Sequence, residues 1–260
     1  MNMKSLLAIA GITATSVACA TVTSQNTLCR IAVNSTAKSI ILALPLQTVG
    51  GTEMSIKVTD LVMTTNLDEG DSLLAWNATE STWDAWVINS SGNWASATSV
   101  SGFDVNTSPA AEETALACGK AVWLNRPDPA EGSRTNARTL PVYLYGQYFT
   151  SGASTTVAAS GSTFVGPCAT TALPINGNGG LTSKKTVGEF ADGDQIVVVN
   201  TGNTNTGRKT YTYKTGVGFA TQSYDTEAHT VSWTATTDTI PVGLGFMYVR
   251  KANTGLTFTW

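Results

Sequence analysis

Three short motifs of this chain occur twice, in the same order and at an almost constant offset. "DEGDSLLAWN" (Asp68 to Asn77) has a counterpart in "ADGDQIVVVN" (Ala191 to Asn200), which places Gly70-Asp71 on Gly193-Asp194. "GKAVWLNR" (Gly119 to Arg126) is matched by "GLGFMYVR" (Gly243 to Arg250), and Pro45 by Pro167, with offsets of 122 to 124 residues. Matches that keep order and spacing indicate a tandem duplication of a unit of about 120 residues. Any fold assigned to this chain must therefore be built twice. Any residue proposed as a site must be weighed against its counterpart in the other copy.

Within each copy the pattern is that of strands. A run of four apolar residues follows the Gly-Asp turn (within Ser72 to Trp76; Gln195 to Val199). A segment with period-two alternation comes next, placing Trp86 with Ile88 and Tyr211 with Tyr213 on one face. No stretch has helical periodicity. Many short strands between polar turns predict an all-β chain of two tandem β-sandwich-like units related by internal duplication, with barrel-like units as the alternative.

The N-terminus reads differently. Lys4, a short apolar run from Leu6 to Val17 and the small residues Ala18-Cys19-Ala20 form a secretory signal peptide over residues 1–20, with cleavage expected after Ala20. Cys19 raises a lipoprotein anchor as an alternative, but the leucine usual three residues before a lipidated cysteine is missing. The first β unit is then residues 21–148, with an exposed loop over 127–139, and the second is residues 149–260. No later segment approaches the roughly 20 apolar residues of a membrane helix. The alternating terminus "TGLTFTW" resembles the last strand of an outer-membrane barrel. "PVYLYGQY" holds the same place inside the chain, so a repeated closing strand explains it.

Composition narrows the function classes. Only 13% of residues are charged and the formal net charge is −3, so there is no basic footprint for nucleic acid. The chain has one histidine, His229, which argues against histidine-based nucleophilic catalysis and most metal constellations. Its four cysteines become three after cleavage: Cys29, Cys118 and Cys168. An odd count leaves no fully paired intramolecular framework. Cys118 and Cys168 align with Val242 and Leu46 and read as small buried hydrophobes, with a mutual bridge as the lesser alternative. Cys29 is expected near an exposed N-terminus.

Two candidate chemistries attach to the motifs. Asp71, Asp192 and Asp194 flank the repeated turn glycines and would suit calcium if more oxygen ligands joined them. The competing expectation is a turn in which Asp accepts backbone N–H groups. The same carboxylates would be needed for a polysaccharide-cleaving enzyme. The tryptophans offer sugar stacking. Trp76, Trp86, Trp94 and Trp123 align with Val199, Tyr211, Phe219 and Met247 and are expected in the core. Trp83 aligns with Arg208, and Trp233 lacks a clear counterpart, so these two are the candidate glycan contacts. Arg126 and Arg250, past the closing strand, are expected to cover the sheet end with their charge in solvent. Gly70, Gly193, Gly119 and Gly243 mark the repeat.

The stretch "FVGPCATTALPI…GDQIVVVN…YTYKTGVGF…IPVGLGFMYVR" resembles a module of secreted bacterial surface proteins, in which a Gly-Asp strand is followed by a glycine-rich, aromatic closing strand. The resemblance implies secretion and a β fold and carries over no catalytic residue. The expectation is a secreted or cell-surface protein of structural or adhesive role, without catalysis. Its partners would be glycans or other cell-surface proteins. A carbohydrate-binding module using Trp83 and Trp233 is the alternative, and a carboxylate-based polysaccharide enzyme the lesser one.

Overall fold

The computed structural model describes residues 28–35, 37–47, 55–57, 62–77, 80–107, 115–117, 119–127, 140–148, 153–199 and 208–260. The expected signal peptide over 1–20, Cys118 and most of the 127–139 loop lie outside these residues. The first unit contributes β1 (Leu28–Val33), β2 (Ser39–Ala43), β3 (Leu46–Gln47), β4 (Ser55–Lys57), β5 (Ser72–Asn77), β6 (Thr82–Ile88), β7 (Trp94–Ala97), β8 (Ala115–Ala117), β9 (Ala121–Asn125) and β10 (Val142–Tyr148). The second contributes β11 (Ser154–Val157), β12 (Gly161–Val165), β13 (Leu173–Pro174), β14 (Lys185–Val187), β15 (Gln195–Val199), β16 (Arg208–Lys214), β17 (Gly218–Asp225), β18 (Thr230–Ala235), β19 (Thr239–Ile240), β20 (Phe246–Arg250) and β21 (Leu256–Thr259).

Among the described residues each unit has a large antiparallel sheet, in the order β2-β9-β5-β6-β7 in the first and β12-β20-β15-β16-β17-β18 in the second. Each also has a three-stranded sheet, β1-β10-β3 and β11-β21-β14, and a two-stranded ribbon, β4-β8 and β13-β19. No sheet of the described residues closes into a barrel. The two units are β-sandwich-like.

Register shows how deep the internal similarity runs. Leu73 lies opposite Leu124 and Trp86, and Ile196 opposite Tyr248 and Tyr211. Trp76 faces Trp83 where Val199 faces Arg208, and Ile88 faces Trp94 where Tyr213 faces Phe219. A slip of one residue would turn every side chain to the other face of the sheet. The inner face carries Leu42, Leu73, Trp86 and Leu124 in one unit, and Val165, Ile196, Tyr211 and Tyr248 in the other. These pack against Val33, Val142 and Leu144, and against Val157, Leu256 and Phe258, within one contiguous core.

The units meet through the outer faces of their large sheets in a reciprocal arrangement. Ala43 N–H donates to Gly243 O (3.0 Å), and at the equivalent place Gly166 N–H donates to Gly119 O (2.9 Å). The glycine turn of each unit abuts the first strand of the other. A Cβ on Gly243 would lie 2.6 Å from Val33 Cγ2, and one on Gly119 2.8 Å from Thr155 Oγ1. Both glycines also have positive φ, +78° and +90°, so packing and backbone each require glycine there. This pattern is that of a self-complementary twofold contact carried within one chain.

Candidate functional site

The repeated Gly-Asp turn is the first place to look for chemistry. Gly70 and Gly193 hold φ of +88° and +89°, which brings the following aspartate back under the turn. Asp71 Oδ2 accepts Asp68 N–H, and Asp194 Oδ2 accepts Ala191 N–H, both at 3.0 Å. Each carboxylate then meets the arginine of the closing strand. Asp194 receives a hydrogen bond from Arg250 Nη1, another from the Tyr248 hydroxyl (2.7 Å), and the Lys251 N–H on its other oxygen (2.8 Å). Asp71 Oδ2 lies 3.9 Å from Arg126 Nε. The guanidinium groups reach further to corresponding backbone carbonyls, Arg126 to Asn66 O (3.5 Å) and Arg250 to Glu189 O (2.8 Å).

All four charged groups are buried. The expectation that Arg126 and Arg250 keep their charge in solvent is corrected: each guanidinium is drawn inside by a carboxylate from 55 or 56 residues earlier in the chain. Bringing two such charges out of water is tolerable only when each is paired and hydrogen-bonded. A calcium site over Asp71 and Asp194 would need oxygens turned towards an open position, and these are turned towards arginines. Asp192 points elsewhere. One of its oxygens accepts Thr215 N–H and Oγ1–H, both at 2.7 Å, and these bonds hold its carboxyl below the usual range. Among the described residues no three His, Cys, Asp or Glu side chains gather as a metal site.

A second possible site lies on the outer faces of the large sheets, which are finished differently in the two units. In the first, residues 98–107 fold back as a roof. Trp83 N–H donates to Asp104 O and Asn106 N–H to Trp83 O, which lays Val105 over Leu74 and Ala85. Trp83 is wedged edge-on among Trp76, Phe103 and Phe164, with ring centroids 5.3 to 5.9 Å apart. Its ring is part of the packing, so its expected role as a glycan contact is not matched by its surroundings. Trp76, expected in the core, is 49% exposed. It sits near the open end of β5 on the outer face, where its counterpart Val199 is also only partly covered. Trp86 is buried as expected, while Trp94, Trp123 and Met247 are half-buried.

Among the described residues of the second unit no such roof lies over that face. β17 runs on past the body of the sandwich and returns as β18, a strand with no equivalent among the described residues of the first unit. Trp233 lies half-buried on this face with Lys214 Nζ 4.9 Å from its ring centre. Lys214 is also 3.9 Å from Asp192 Oδ2. Tyr224 and Val231 are exposed opposite each other, and Gln222 is exposed opposite Trp233. His229 ends the turn at φ +54°, exposed, with Nδ1 3.1 Å from the Tyr224 hydroxyl. Sequence reasoning missed this arm, although "TVSWTA" is a plain strand sequence; β18 had no first-unit counterpart to point to it.

Cys29 is half-buried against the core on β1, not on an exposed terminus, and Cys168 is half-buried just beyond β12. No helix among the described residues is long and apolar enough to cross a membrane. No protein-family model, curated protein or solved structure matches the chain.

Proposed function

We propose that this chain is an exported, non-catalytic β protein of structural or adhesive role, and that it makes its contacts through the outer face and arm of the second unit. The observation that carries this is the difference between the two outer faces. One is roofed by its own chain, whereas the other presents Gln222, Tyr224, Val231 and Trp233 on the two-stranded arm of β17 and β18. A mixed aromatic and polar sheet face suits a contact that is apolar at the ring faces and wet at the edges. The non-catalytic part is supported by the placement of Asp71 and Asp194. A carboxylate without solvent exposure and held by a buried arginine has no path to a substrate.

Glycan recognition is the second reading, favoured by Trp233 and Tyr224 sharing the open face. Trp76, with its exposed ring braced by Trp83, is a further candidate contact. A glycan array tests it: selective binding lost in Trp233→Ala and retained in Trp83→Phe would establish the glycan as ligand. An array without selective binding, together with attachment to cell surfaces that survives Trp233→Ala, would remove it. Export is tested by N-terminal sequencing of the mature protein, which should begin at Thr21.

A further inference from the structure

The geometry points to an interaction surface along the free edge of β18, and we propose that its partner is β18 of a second copy of this chain, paired antiparallel about a twofold axis. The proposal is independent of glycan binding.

The edge is open. Among the described residues β18 is the last strand of its sheet and pairs only with β17. Thr236 N–H donates to Phe219 O just beyond that ladder. Antiparallel alternation then turns the N–H and C=O groups of Val231, Trp233 and Ala235 outward. The far edge of the first large sheet is treated otherwise: β2 is closed by the second unit, through Ala43 N–H to Gly243 O and Gly245 N–H to Ile41 O. Native edges are usually blunted by charge, proline or a bulge. Thr230 to Ala235 has no charge or proline, and it pairs with β17 without a register shift. The arm is also exposed along nearly its whole length, and a two-stranded ribbon without a core is marginal by itself. Two arms side by side make a four-stranded sheet.

The strand is complementary to itself. With the twofold axis at Ser232, Ser232 faces its own copy, Val231 faces Trp233 of the second copy, and Thr230 faces Thr234. Each of the last two pairs occurs twice. Aromatic with β-branched and Thr with Thr are favourable cross-strand pairs, and no like charges are brought together. In this register the outward-facing Val231 and Trp233 exchange both N–H···O bonds with their partners, while Ser232 falls at the non-hydrogen-bonded position. One short strand per copy buries less than a standard interface, so the dimer is reversible.

Sedimentation velocity of the mature protein should show a monomer–dimer equilibrium with a midpoint of about 10–100 μM. Val231→Pro removes an outward N–H and leaves the β17 ladder intact, and should weaken the dimer at least about tenfold. Ser232→Cys fixes the register. With oxidised glutathione it should give a disulfide-linked dimer at least about tenfold faster than Thr234→Cys, which does not face itself. The same native cysteines are present in both variants. A wild-type protein that stays monomeric to about 1 mM overturns the proposal. So does equal cross-linking of the two cysteine variants, or a dimer unchanged by Val231→Pro.

Discussion

The two large sheets share strand order and register at every described strand but one, yet their outer faces are finished in opposite ways. The first unit folds residues 98–107 over its face and covers Leu74 and Ala85 with Val100, Phe103 and Val105. The second puts Thr210 and Thr212 where the first has Ala85 and Val87, and extends into the arm of β17 and β18. The inner faces and the buried Asp–Arg pairs are what the copies keep in common. The outer faces differ, so that is where a difference in role between the units has to be sought.

The largest test of the shared part is removal of one carboxylate. Asp194→Ala leaves Arg250 buried without its partner and should cost about 3–5 kcal/mol in urea denaturation. Asp71→Ala should cost a similar amount through Arg126. A loss below about 1 kcal/mol at either site would break the equivalence of the pairs. Next comes the junction between the units. A Cβ at Gly166 would lie 2.0 Å from Lys120 O and 3.1 Å from Ala43 Cα, both backbone, so Gly166→Ala should destabilise by about 2–3 kcal/mol.

Smaller changes sharpen the contrast of the outer faces. Phe103→Ala unpins the roof of the first unit and should cost about 1–3 kcal/mol, given its partial burial. Trp233→Ala, on the open face, should stay within about 1 kcal/mol. Equal losses would mean that both faces are packing surfaces. The smallest effect expected is electrostatic and confined to the second unit. Hydrogen bonds from Tyr211 and then Lys209 hold the Asp238 carboxyl below its ordinary value. A lowered carboxyl contributes stability above about pH 4, which is lost as pH falls through the lower folded value. Asp238→Asn should remove that part of the acid slope, a few tenths of a kcal/mol for so exposed a pair. Among the described residues the first unit, with Trp86 in place of Tyr211, has no equivalent pair.

Much of the fold was legible because the chain states it twice. Ser72 to Trp76 and Gln195 to Val199 are strands as their apolar runs predict, and Trp83 falls at the position of Arg208. The partner of each arginine was not visible, because ion pairing across 55 residues leaves no local pattern. A signal for it did exist: in a chain only 13% charged, an Asp and an Arg are kept at equivalent positions in both copies. Trp76 was misplaced for a different reason. Remaining apolar in both copies shows that a position tolerates burial, but near a strand end on the outer face nothing supplies a cover. The arm was missed because it occurs only once.

Residue-resolved hydrogen exchange on dilute protein tests the central contrast most directly. The roofed face predicts strong protection at Trp83 and Asn106, whose N–H groups bond Asp104 O and Trp83 O. The open edge predicts exchange near the unprotected rate at Val231, Trp233 and Ala235, beside slower exchange at Thr230, Ser232 and Thr234. Fast exchange at Trp83 and Asn106, or protection of Val231 and Trp233 at concentrations where the protein is monomeric, would contradict it.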